Sequence, residues 1–162
     1  MKKLIYCFLL SVFFLQACQD KGILYEQNQD IKEAKWKVEK DINFEFEVKD
    51  TTKQYDIYYH IRNELSYPYY NMYVTYYLHY PDGKKVDSLL QDIVLFHPNT
   101  GEPFGEGTGG IREHQSIALP KFRFSQKGKY KYRFKQYMRD NPLKGIISMG
   151  LRIQEVQNEV KK

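Results

Sequence analysis

The chain has 162 residues, the size of one domain with a sizeable core. Its 25 lysines and arginines exceed its 20 acids by only five, and they are dispersed, which excludes a nucleic-acid-binding role. Tyrosine, at fifteen residues, is the compositional outlier.

In chain order, Lys2 and Lys3 precede a twelve-residue apolar run from Leu4 to Leu15. A bilayer span needs about 20 apolar residues. The run therefore has the length and charge order of a secretory signal segment. A small residue followed directly by cysteine stands at the cleavage site, and Leu15-Gln16-Ala17-Cys18 resembles the lipobox of bacterial lipoproteins. The resemblance implies cleavage between Ala17 and Cys18, a diacylglycerol thioether on Cys18, and acylation of the new amine. Residues 1–17 are then a lipoprotein signal peptide. Their loss removes Cys7, Lys2 and Lys3, so the formal charge falls from +5 to +3 and Cys18 is the only cysteine left. No disulfide, thiolate metal site or cysteine nucleophile is then available within the chain. Each buried CH₂ contributes about 0.8 kcal/mol, so two or three acyl chains hold the protein to a membrane essentially permanently.

Residues 18–35 read as a polar, lipid-attached tether, and Trp36 marks where the chain docks onto the body. From Asp41 the apolar period becomes two. Ile42, Phe44, Phe46 and Val48 form one half-buried strand; Tyr55, Ile57, Tyr59 and Ile61 form the next. A loop around Pro68 leads to a strand over Tyr70–Tyr80. Pro81-Asp82-Gly83 is a turn, followed by one or two strands between Lys85 and Phe96. His97–His114 carries five of the ten glycines and reads as a long loop. Ile117–Phe124 is a short strand whose Pro120 requires an edge or a bulge. Lys129–Met138 alternates Tyr130, Tyr132 and Phe134 against Lys131, Arg133 and Lys135. Ile147–Ile153 is the last strand, and 156–162 is a polar tail. Seven or eight short strands without a helical period predict an antiparallel β-sandwich over residues 36–155, with a partly open barrel as the alternative.

Most tyrosines fall on the apolar faces, as core residues whose hydroxyls reach the sheet edge. Tyr58, Tyr73 and Tyr77 fall on the opposite faces, among His60, Arg62, Asn71 and His79. If their strands pair, they form one aromatic and polar surface. Plain surface, a protein interface and a sugar-stacking platform are the readings of such a patch. The glycine-rich loop is a second candidate, with Phe104 as a core plug and Glu106, with Glu102 and Glu113, offering oxygens to a ligand. The acid spacing matches no calcium loop. The four histidines show no metal-ligand spacing, and no GxSxG turn occurs. No metal, cofactor or catalytic residue is expected, and a hydrolase would need paired acids that spacing does not flag. The row Lys127, Lys129, Lys131, Arg133, Lys135 reads as a solvated edge strand or as a contact for anionic lipid. Arg139 is placed to cap loop carbonyls at a strand corner. Gly145 and Gly150 serve a strand start and a bulge.

Several of these stretches carry a family resemblance. Tyr67-Pro68-Tyr69-Tyr70-Asn71, Pro81-Asp82-Gly83, Phe104-Gly105-Glu106-Gly107, Gly128-Lys129-Tyr130, Gln136-Tyr137-Met138-Arg139, Leu143-Lys144-Gly145-Ile146 and Gly150-Leu151 resemble the GldH family of gliding-motility lipoproteins of the Bacteroidota. Phe104 stands where the family is expected to have tryptophan. The resemblance implies an outer-membrane lipoprotein needed for gliding and linked to the associated secretion machinery. It carries over no catalytic residue. The resulting expectation is a lipid-anchored, non-enzymatic envelope protein acting through protein partners, on the periplasmic side of the outer membrane. A glycan-binding lipoprotein is the alternative.

Overall fold

A computed structural model describes residues 22–157; the signal segment, Ala17, Cys18 and residues 158–162 of the expected tail lie outside the described residues. In chain order the strands are β1 (Ile23–Asp30), β2 (Lys35–Trp36), β3 (Ile42–Val48), β4 (Tyr55–Glu64) and β5 (Asn71–His79). There follow β6 (Val86–Val94), β7 (Ile111–Phe122), β8 (Gly128–Gln136), β9 (Leu143–Lys144) and β10 (Ile146–Glu155). The first sheet has the order β1-β10-β4-β7 and the second β3-β8-β5-β6; β2 and β9 form a small ribbon. All pairings are antiparallel. The expected sandwich is the observed fold, and neither sheet closes into a barrel.

Alternation explains the core. Every odd residue of β4 from Tyr55 to Asn63 is buried, as are Tyr130, Tyr132 and Phe134 of β8. These two strands face each other across the sandwich: Tyr59 meets Phe134 edge-on at 4.7 Å and hydrogen-bonds Tyr132 through their hydroxyls at 2.7 Å. Burying each such apolar side chain contributes roughly 1.5–3 kcal/mol. Trp36, opposite Leu143 in the short ribbon, closes one end, and both are buried. Its indole donates to the Lys40 carbonyl at 2.8 Å.

Five expectations are corrected. First, the stretch read as tether contains β1, which pairs with β10 from Ile23↔Gln154 to Asp30↔Ser148. An edge strand needs few inward apolar residues; here the adjacent Leu24 and Tyr25 pack on the core, Tyr25 against Phe44 and Phe46, so no alternation appears. Second, β7 begins at Ile111, which shortens the loop; its polar first half pairs with β4 at the open edge. Pro120 does lie on an edge strand with an irregular register, and Lys121 after it takes φ 52° with its amide donating to Asp56. Third, Phe104 is 44% exposed and does not plug the core. Phe96 turns inward on Tyr67 instead, while Phe124 fills the opposite end against Phe46, Tyr55 and Tyr130. Fourth, Arg139 is exposed, and the corner after β8 is held by buried Gln136, which donates to the Asp140 carbonyl and accepts from the Met138 amide. Fifth, Gly150 makes no bulge. It lies in regular β10 between Asn28 and His60, and a β-carbon there would overlap the Asn28 side chain.

His60, beside Gly150, has its Nε2 buried without a hydrogen-bond partner, as does His114 on β7. Burial holds His60, His79 and His114 below the ordinary histidine range. Around His60, Arg152 pushes the same way, while Glu26 and Glu113 oppose it.

Phe124→Ala is expected to cost about 3–5 kcal/mol, and Phe104→Ala no more than about 0.5 kcal/mol, measured by urea unfolding. The histidines give a pH signature. The unfolded chain takes up protons on them near 6.5 while the fold keeps them neutral, so their contribution to stability is complete above 6.5 and is lost as pH falls below it. The drop in urea midpoint between about pH 7.5 and about pH 5.5 should shrink in a His60→Gln/His114→Gln variant.

Candidate functional site

Residues that alternate outward from β5 and β8 build the outer face of the second sheet. Tyr77 and Arg133 are direct cross-strand partners, and the guanidinium lies 4.2 Å from the ring centre. Arg133 also donates to Asp41 at 3.0 Å, which fixes the stack. The Tyr77 hydroxyl meets that of Tyr137 at 3.2 Å, and Lys135 lies 5.9 Å from the Tyr137 ring. Tyr73 is joined through backbone, its carbonyl accepting from the Tyr137 amide. Tyr73 and Tyr137 are 38% and 50% exposed. The hydrogen bond from Tyr137, with partial burial, raises the Tyr77 phenol above its ordinary value, so it stays neutral. Cation–aromatic contacts of this kind contribute about 0.5–1 kcal/mol at exposed sites.

The face continues across β6, where Tyr73, Thr75 and Tyr77 stand opposite Asp92, Leu90 and Ser88. Hydrogen bonds Tyr80 N–H to Lys85 O and Leu95 N–H to Tyr70 O flank the β5–β6 ladder. By alternation, Val86, Ser88, Leu90, Asp92 and Val94 then point their backbone groups away from β5, along the sheet edge. Val86, Leu90 and Val94 are exposed apolar residues, and no lysine, arginine or proline interrupts β6. Natural edge strands are ordinarily blunted by charge or proline. Every edge carries some such device: β1 is polar, β3 presents Glu45 and Glu47, β7 carries Pro120 and Lys121, and β6 has Asp87 and Asp92. But β6 also exposes Val86, Leu89, Leu90 and Val94.

The structure separates what the sequence grouped. Tyr73 and Tyr77 share this face, but β4 and β5 belong to different sheets, so Tyr58 lies on the outer face of the first sheet, opposite Arg152 and Ile117. The basic row is not an edge either: β8 runs between β3 and β5, and Lys129 and Lys131 stand opposite Glu47 and Glu45. Such opposite-charge pairs are mutually favourable and leave little free positive charge. Tyr137 and Arg133 join the surface although sequence reasoning set them apart from the tyrosines. Their shared period with Lys131 and Lys135 was readable; their pairing with β5 was not.

The glycine-rich loop runs beside β7, where Glu106 and Glu113 exchange backbone hydrogen bonds at 3.0 and 2.7 Å. Gly105, at φ 81°, makes this approach possible, since a β-carbon would overlap the Glu113 carbonyl. An open hollow of about 600 Å³ lies under the loop, lined by His60, Glu106, Glu113 and Gln115 among others. Glu102, Glu106 and Glu113 do not converge: among the described residues no group of three or more His, Cys, Asp or Glu side chains is placed to hold a metal ion.

The model of the GldH lipoprotein family matches residues 23–153, from the first residue of β1 to within β10. The gliding motility lipoprotein GldH homolog of Christiangramia forsetii is 32% identical over 161 residues, covering 95% of this chain and 96% of the relative. Gliding motility lipoprotein GldH of Flavobacterium johnsoniae is 29% identical over 155 residues, covering 91% and 93%. No solved structure matches the chain. A match over nearly the whole body, beginning at β1 itself, places it plainly: the chain belongs to the GldH lipoprotein family.

Proposed function

We propose that this lipoprotein is anchored through acylated Cys18 at the periplasmic side of the outer membrane. There it supports gliding motility, or the secretion machinery associated with it, through protein contacts and without chemistry of its own. The relatives' names supply the link to gliding. The observation that carries the contact reading is the outer face of the second sheet, where Tyr73, Tyr77 and Tyr137 run with Arg133 toward the open β6 edge with its exposed Val86, Leu90 and Val94. Tyrosine and arginine are enriched in interface cores, and a free strand edge offers backbone groups that a partner's extended segment can pair. Sugar stacking is the less favoured use, because Arg133 already occupies one face of the Tyr77 ring.

Tyr73→Ala/Tyr77→Ala should leave the urea midpoint nearly unchanged and remove specific proteins from the in-cell crosslinking pattern read by mass spectrometry. An unchanged pattern overturns the proposed surface. If the same variant instead abolishes retardation in a polysaccharide gel, the glycan reading replaces it. The anchor has its own measurement: cells fed radiolabelled palmitate should label the parent chain and not Cys18→Ser, which should leave the membrane fraction. An unlabelled, soluble parent removes the anchor from the account.

A further inference from the structure

The two ends of the sandwich differ in charge, and the lipid-bearing segment leaves from one of them. The described chain starts at Gly22, whose carbonyl accepts from the Glu155 amide. Beside it lie the β3–β4 turn and the end of β10, where Gly22 and Ile23 share a shallow hollow with Lys49, Asp50, Lys53 and Glu155. The β5–β6 and β7–β8 turns abut one another at this end, tied by Gln126 donating to Asp82 at 3.0 Å. These three turns expose Lys49, Lys53, Lys84, Lys85, Arg123 and Lys127. The acids beside them are Asp50, Asp82, Asp87 and Glu155, with Asp87 paired to Lys85 at 3.6 Å, so the six bases exceed the four acids by two. Asp50 accepts from Thr52, Asp82 from Gln126 and the Lys84 and Lys85 amides, and Glu155 from Lys53. At the far end the signs are mixed: Lys32, Lys37, Lys40, Arg139 and Lys144 stand among Glu39, Asp41, Glu64, Glu102, Glu106 and Asp140.

Cys18 and Ile23 can be at most about 18 Å apart, since extended chain spans at most about 3.6 Å per residue. A body held that close to a bilayer meets the headgroups with the end from which its chain emerges. We infer that this basic end is a binding surface for anionic phospholipid headgroups, which seats the lipidated body upright with β1 running away from the membrane. The surface rests on the anchored reading given above for its biological setting, but its chemistry is independent of the acyl chains. Each lysine or arginine near an anionic surface contributes about 1 kcal/mol, and the attraction decays within a Debye length. Among the described residues, Lys49, Lys84, Arg123 and Lys127 form no ion pair closer than 4 Å, and their exposed cationic groups are open to headgroups.

The experiment uses the mature chain with Cys18→Ser, so that no acyl chain contributes, in cosedimentation with vesicles of phosphatidylcholine with or without phosphatidylglycerol. Binding is expected only with phosphatidylglycerol, and it should be released by high salt. A Lys49/Lys84/Arg123/Lys127→Gln variant should bind about tenfold more weakly or worse. A Lys32/Lys37/Lys40/Lys144→Gln variant removes the same charge from the far end and should bind as the parent does. No phosphatidylglycerol-dependent binding, or equal losses in the two variants, overturns the inference. The palmitate measurement tests the anchor itself, so either can fail without the other.

Discussion

Two hydroxyls enclosed by aromatic rings hold the sheets in register. Tyr59 and Tyr132 meet at 2.7 Å in the middle of the core, and both are almost wholly buried. Leaving a buried polar group unpaired costs about 1–3 kcal/mol, so sliding one sheet over the other by a residue pair would orphan both at once. Burial raises both phenols far above their ordinary value, and the pair remains protonated. Phe134, edge-on to Tyr59 and adjoining Tyr132, leaves neither ring free to swing away. With these rings inward, alternation dictates the outer faces. Tyr58 and His60 leave one sheet, Lys131, Arg133 and Lys135 leave the other, and the β5–β8 register then sets Arg133 against Tyr77.

The excess of tyrosine follows from the same logic extended to the rim. Tyr67 donates to the Asn71 carbonyl, Tyr130 to the Gln126 carbonyl, Tyr55 to the Asp50 carbonyl, and Tyr80 to Asp87. Each ring belongs to the apolar layer, while its hydroxyl ties down a turn or a strand end. Phenylalanine would fill the same space and leave those groups to water or to nothing. Tyrosine thus performs in this fold what capping residues perform in helical proteins.

Strands buried on one side only announce themselves. Ile42 to Val48, Tyr55 to Ile61 and Tyr130 to Phe134 alternate because one face meets the core and the other meets solvent, and there sequence and structure agree. Edges are silent for the opposite reason. β1 and the first half of β7 pair on one side only and bury little, so backbone hydrogen bonding decides them and side-chain pattern does not. Pairing order is also invisible locally, since β4 and β5 read as consecutive strands and yet enter different sheets. That alone moved Tyr58 away from Tyr73 and Tyr77 and brought Tyr137 and Arg133 to them. Phe96 and Phe104 are eight residues apart with equal apolarity, and only the path of the loop decides which is buried.

The inclusion of β1 in the sheet changes the mechanics of anchoring. An eighteen-residue flexible tether would let the body sample orientations freely, and no face would be preferred by a partner fixed in the same membrane. With β1 pairing from Ile23 onward and the Gly22 carbonyl fastened to β10, only residues 18–21 of the expected tether stand before the body. An eight-residue strand rising about 3.3 Å per residue carries the far end roughly 26 Å outward from that point. In the upright pose inferred above, the tyrosine face of the second sheet would stand perpendicular to the bilayer, and so would the open edge of β6. A partner approaching along the membrane plane meets that face side-on, while one arriving from the side away from the membrane meets the loop around Phe104 and Glu106. Orientation, set by a short anchor and a charged end, is therefore what would select which surface of this small body a neighbour can reach.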